Sequence, residues 1–230
     1  MAKNKKIKLT KRQKLLLEYG ITIGFLLIAF FMWNTFLIYP IKLFVVITHE
    51  MSHGLAAVLT GGKVESIVIT SSLGGETHSR EGIKFIIASA GYLGSLLFGV
   101  LLFIAGYKEK FRKFFSVLLA IIFILFAANY FEGNIGKIAA LFFAAIFIIM
   151  PIYLPQTVNR YFYKLIGLIS MLYVVIDIKE DLLTNVYRPS DAQYIAAITS
   201  TSATFWSILW FLISVVTIIF SVRWGLKQKG

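Results

Sequence analysis

The chain has 230 residues, enough for one good core and too few for two comfortable domains. Its residues are 58% hydrophobic and only 15% charged, with a mean hydropathy of +0.80, and a soluble fold of this size cannot hide that much apolar surface. A soluble enzyme, a disordered chain and a disulfide scaffold are therefore excluded, the last also because there is no Cys, and the net charge of +12 is expected in loops facing anionic lipid rather than on nucleic acid.

Residues 1–17 read as a basic tail, cytoplasmic or interfacial, carrying Lys3, Lys5, Lys6, Lys8, Lys11, Arg12 and Lys14. Residues 18–230 read as a single transmembrane domain. The apolar run after the tail is too long for a signal-peptide core and has no small-residue cleavage site, so an uncleaved first span is expected. A span needs about 20 apolar residues. Seven stretches qualify: Gly20 to Ile38, Ile41 to Leu59, Ile83 to Tyr107, Phe114 to Phe131, Ile135 to Leu154, Tyr163 to Leu183 and Thr204 to Val222. The expected fold is an all-α, multi-pass transmembrane helix bundle.

Two stretches are not spans. Thr60 to Gly82 is rich in Gly, Ser and Thr and alternates in polarity up to Gly74-Gly75, which predicts a small β-hairpin at the membrane surface. Thr184 to Thr201 contains Arg188-Pro189-Ser190-Asp191, and Ser190 or Asp191 suits the N-cap of a helix starting near Ala192. Seven spans with a cytoplasmic tail put Lys108, Lys110, Arg112 and Lys113 outside, along with Arg223, Lys227 and Lys229, against the preference of basic loops for the inside. A re-entrant run or an interfacial tail would relieve the conflict, so the span number is six to eight.

The sharpest motif is His49-Glu50-Met51-Ser52-His53. On a helix, positions i and i+4 share a face, so two imidazoles can grip one Zn²⁺ while the intervening Glu50 serves a bound water as general base. Zinc brings that water's pKa to about 7. The motif lies midway along an apolar run, where ionisable groups are costly and functional by default. A catalytic zinc takes three protein ligands, and the third must come from elsewhere. The three Asp of the chain are Asp177, Asp181 and Asp191. Asp177 and Asp181 share a face of the sixth span, and Asp191 sits in the loop after it. Glu132 and Asn129 are weaker candidates, and His78 reads as a solvated loop residue. Ala88, Ala90, Gly91 and Gly94 predict close packing of the third span on the motif helix, and Gly61 and Gly62 predict the end of that helix.

The chain resembles the site-2-protease-like intramembrane zinc metallopeptidases, in a compact branch without a PDZ domain. The matching pieces are His49 to Gly54, Leu59 to Val64, Gly74-Gly75-Glu76-Thr77, Ala90 to Gly94, Asp177 to Leu182, Ser190-Asp191-Ala192, and Trp206 with Trp210. The resemblance implies a membrane-embedded zinc protease that hydrolyses transmembrane or membrane-proximal substrates, with His49 and His53 on zinc and Glu50 as acid/base. Better-known members take the third ligand from a Leu-Asp-Gly or Asn-Pro-x-Pro-Asp-Gly motif, which is missing here; Asn129-Tyr130-Phe131-Glu132-Gly133 is the nearest echo. The Ser-Asp-Ala piece favours Asp191 as metal ligand, with Asp177 next on physical grounds. A catalytically inactive scaffold, chaperone or transporter that keeps the fold is the second reading. The hairpin edge is a candidate seat for an extended substrate. Composition fits a bacterial plasma membrane, and the oligomeric state is not legible.

Overall fold

A computed structural model describes residues 10–184 and 190–228; the tail residues Lys3 to Lys8, the Arg188-Pro189 pair and Lys229 lie outside them. The elements run α1 (Lys11–Phe31), α2 (Tyr39–Leu59), β1 (Lys63–Ile69), β2 (Gly75–Arg80), α3 (Lys84–Ala105), α4 (Glu109–Asn129), β3 (Phe131–Glu132), α5 (Asn134–Tyr153), α6 (Gln156–Thr184), α7 (Asp191–Thr199) and α8 (Ala203–Lys227). The fold is an all-α membrane bundle with one small sheet. Among the described residues six helices are long and apolar enough to cross a membrane: α2, α3, α4, α5, α6 and α8.

The expected first span, α1, is not among the six; among the residues whose side chains are described its apolar stretch is Leu16–Ala29. The helix stops at Phe31, the chain turns through Met32 to Ile38, and Pro40 starts α2, where its fixed φ and missing N–H are tolerated. At its beginning α1 is pinned to the start of α6, because Glu18 accepts hydrogen bonds from Arg160 Nη2 and Lys164 Nζ, both at 2.6 Å. At its end Ala29 and Trp33 lie against Ile169, Leu172 and Tyr173, well short of the end of α6. Helix α1 therefore runs along α6 from Arg160 to Tyr173.

This count removes the charge conflict. The α3–α4 connection carries Lys108 to Lys113, and the end of α8 carries Arg223 and Lys227. They lie at the same end of the bundle, where Lys108 Nζ sits 5.9 Å over the Trp224 ring and Tyr107 meets Trp224 edge-on. The start of α6 belongs there too, since Lys164 Nζ lies 3.7 Å over the Tyr107 ring.

Lipid supplies no hydrophobic force between helices, so close packing and aromatic contact hold them together. Phe44 of α2 stacks on Phe123 of α4 at 5.8 Å and meets Phe143 of α5 edge-on at 5.2 Å. Helices α3 and α6 approach almost backbone to backbone, and a methyl on Gly99 would lie 3.1 Å from Met171 N. Large apolar residues such as Phe114, Val117 and Ile121 of α4, and Leu212, Val216 and Phe220 of α8, remain exposed, as a lipid-facing surface requires.

The predicted hairpin forms and gains a third strand. Strand order is β2-β1-β3: β1 and β2 are antiparallel from Lys63↔Arg80 to Ile69↔Gly75, and β3 pairs with β1 in parallel. Gly61, at φ +86°, turns the chain out of α2. The hairpin then folds back alongside α2, so Gly75 and Thr77 reach Glu50 at mid-helix. Buried Ser66, Ile67 and Ile69 hold β1 against the bundle, and β2 forms an open edge of the sheet.

Candidate metal centre

On α2 the i, i+4 spacing sets His49 and His53 one turn apart, with ring centroids 4.9 Å apart and planes at 76°. Each ring is fixed by a neighbour from α3. His53 Nδ1–H donates to Ile87 O at 2.7 Å, which leaves the Nε2 lone pair facing the cavity. His49 lies against the Tyr92 ring at 5.1 Å.

Asp191 completes the cluster from the opposite end of the sequence. Ser190 takes the N-cap of α7: its hydroxyl accepts from Gln193 N–H, and Gln193 Oε1 accepts from Ser190 N–H. With the cap made by Ser190, Asp191 at the first helical position is released from that duty and turns toward the two rings. Its Oδ2 is 3.2 Å from His49 Nε2 and its Oδ1 is 3.2 Å from His53 Nε2.

The donor set fits a divalent metal. His49, His53 and Asp191 each offer a ligand atom, and these atoms lie within 4.8 Å of one another. Asp191 Oδ2 is buried, and no donor hydrogen points at it. Lone pairs turned toward one point repel unless a cation sits between them. Gly91 of α3 leaves that point open. A methyl on Gly91 would fall 2.5 Å from His53 Nε2 and closer still to His49 Nε2 and Asp191 Oδ2. Zinc–nitrogen and zinc–carboxylate distances are about 2.0–2.2 Å, so the three ligand atoms need the space beside Gly91 kept clear of any side chain.

Glu50 projects beside this cluster against strand β2. Thr77 Oγ1 is 2.7 Å from Glu50 Oε2 and 3.0 Å from Glu50 O. A methyl on Gly75 would lie 2.5 Å from Glu50 Cγ and Oε1. These groups share a cavity of about 440 Å³, lined also by Glu65, Glu76, Tyr173, Asp177 and Tyr194. The side chains of His49, His53 and Asp191 keep 15%, 10% and 18% of their surface exposed, so water has access.

The other candidates lie apart. Asp177 is on the cavity wall contributed by α6, outside the three-residue cluster. The span that carries it packs mainly on α3, whereas the start of α7 sets Asp191 beside the histidines. The Asp181 side chain lies outside the described residues. Glu132 is exposed on β3, and the Asn129 side chain donates to Leu125 O. His78 is half-exposed on β2, 3.6 Å from Glu76. Periodicity does not mark Thr77, Gly75, Tyr92 or the Ile87 carbonyl, although Gly74 to Thr77 and Ala90 to Gly94 are among the pieces that carry the resemblance.

A family model described as Peptidase M50B-like matches residues 22–221. No curated protein and no solved structure matches the chain. The matched region starts inside α1, ends inside α8 and takes in the histidine pair, the hairpin and Asp191. With most of its length accounted for in this way, the chain belongs to the Peptidase M50B-like family.

Proposed function

We propose that the protein is a zinc-dependent intramembrane endopeptidase that cleaves peptide bonds of transmembrane or membrane-proximal substrates, in a bacterial cell membrane with the basic end of the bundle on the cytoplasmic side. One observation carries the reading: three metal-binding side chains converge on a point that Gly91 keeps open, and an acid/base carboxylate stands beside them in the same cavity. Membership of the peptidase family supports it.

His49, His53 and Asp191 would hold the zinc. When bound, zinc supplies a polarised scissile carbonyl and a water acidified to a pKa of about 7. Glu50 takes a proton from the attacking water and delivers it to the leaving amine nitrogen. Water is drawn from the cavity, because hydrocarbon supplies none. A helical substrate must unwind before its amides are exposed. The open edge of β2, which lines the cavity from Gly75 to Ser79, suits the extended segment that results.

The test is turnover of a transmembrane peptide by purified protein in liposomes, with zinc measured on the same samples. Wild type should cleave. Glu50→Gln should retain zinc and lose at least about 100-fold in kcat, the usual scale of general acid–base catalysis. Cleavage by Glu50→Gln at the wild-type rate would remove Glu50 from the chemistry. A folded, zinc-free wild type would point instead to an inactive scaffold.

A further inference from the structure

Resting on the protease reading above, we infer that Thr77 is the positioning residue for Glu50, and that strand β2 is the part of the fold that sets the general base. Glutamate on a helix has three side-chain torsions, and a base that samples several rotamers is correctly placed only part of the time. Two features of β2 remove that freedom. Gly75 closes the space on one side, since even a methyl there would sit 2.5 Å from Glu50 Cγ. Thr77 Oγ1 supplies the peg, 2.7 Å from Glu50 Oε2. A hydroxyl has a single proton, and its other acceptor within reach, the Glu50 backbone carbonyl, is farther away at 3.0 Å and uncharged. The carboxylate is the stronger acceptor, so the proton goes there. Glu50 Oε1 is then the oxygen left for proton transfer.

The slot is rigid because the strand behind it is. Thr77 pairs with Ile67 and Gly75 with Ile69, and Ile67 and Ile69 are almost fully buried. Ile67 is itself held from the other side by Phe131 of β3, and Ile67 N–H donates to Tyr130 O at 2.8 Å. The two-residue strand β3 thereby acts on the base through β1 and β2. Catalytic groups need placement to within about 0.5 Å, and a 1 Å error can cost about 100-fold. A purely structural role for Thr77, joining strand to helix, would leave the chemical step untouched.

The experiment compares wild type, Thr77→Val and Thr77→Ser in liposomes with one transmembrane peptide, recording kcat, KM, zinc stoichiometry and thermal midpoint. Valine keeps the shape and removes the hydroxyl; serine keeps the hydroxyl. The expected result is a fall of about 10–100-fold in kcat for Thr77→Val, the range of one hydrogen bond to a charged group. Zinc content should be unchanged and KM within about threefold, with Thr77→Ser restoring kcat to within about threefold of wild type. Wild-type kcat in Thr77→Val, a loss confined to KM, or a Thr77→Ser variant as slow as Thr77→Val would each overturn the assignment. An experimental structure of zinc-loaded Thr77→Val gives a reading independent of turnover: Glu50 should leave its position beside β2, and an unmoved carboxylate refutes the inference. If the wild type cleaves nothing, the protease reading fails, and that structure still decides the role of Thr77.

Discussion

Replacing Gly91 with Ala tests the metal centre without touching a ligand. The added methyl carbon would sit 2.5 Å from His53 Nε2 and nearer to the other two ligand atoms. Unbonded atoms keep about 3.5 Å apart, so the methyl would push the three ligand atoms off the positions from which they can hold zinc at about 2.0–2.2 Å. Relief by moving α3 is opposed nearby, because Gly94 already abuts Ser52 of α2. Zinc stoichiometry should therefore fall from about one per chain to near zero. Zinc present at 1,000 times its dissociation constant stabilises a folded state by roughly 4 kcal/mol, or about 8–16 °C in a chain of this size. Added zinc should raise the thermal midpoint of wild type by that order and leave Gly91→Ala unmoved. The assay is a zinc titration followed by differential scanning of detergent-solubilised protein, with metal content read by mass spectrometry. A Gly91→Ala variant that binds zinc with wild-type affinity would refute the reasoning, because the metal would then have to lie elsewhere.

Other outcomes follow from the same geometry. Asp191→Asn should weaken zinc more than about 100-fold while Asp177→Asn leaves stoichiometry at wild type, since Asp191 alone of the two stands with the histidines; the reverse pattern in metal analysis assigns the third ligand to Asp177. Glu18→Gln should destabilise by roughly 3 kcal/mol, because it strands Lys164, itself only 3% exposed, without its counter-charge. A Glu18→Gln/Lys164→Met double variant should recover much of that loss in thermal unfolding, and additivity of the two single effects would argue against coupling. The chain has no Cys, so single cysteines report sidedness directly. Cysteines at Lys110 and Lys227 should label from the cytoplasmic side and one at Glu132 from the other; a shared side for Lys110 and Glu132 contradicts α4 as a span, and Lys110 labelling from outside contradicts the six-span count.

What could be seen in advance tracks how local each cause is. The histidine pair was legible because its spacing matches one helical turn, whatever surrounds it. Asp191 is favoured through the family resemblance of Ser190-Asp191-Ala192, since the cap signal by itself fits either Ser190 or Asp191. Asp177 comes next on physical grounds, because helical spacing says which residues share a face and not which face meets α2. The first apolar run shows no internal stop in composition; in the structure the chain turns at Met32 to Ile38, before Pro40 starts α2. Strand β3 was illegible for a similar reason, two residues having no period of their own. Gly91 was legible as a packing residue between α3 and the motif helix, but its place beside the ligand atoms, and that of Gly75 beside Glu50, show only when the second element is in position.

The donors at this centre enter the chain far apart, two on the first full crossing and one after the sixth helix. During synthesis the histidine pair is therefore inserted long before its carboxylate partner exists. A half-built copy carries the motif but cannot close the cage. On the proposed function, hydrolytic competence would arrive late, only once α7 sets Asp191 beside the histidines.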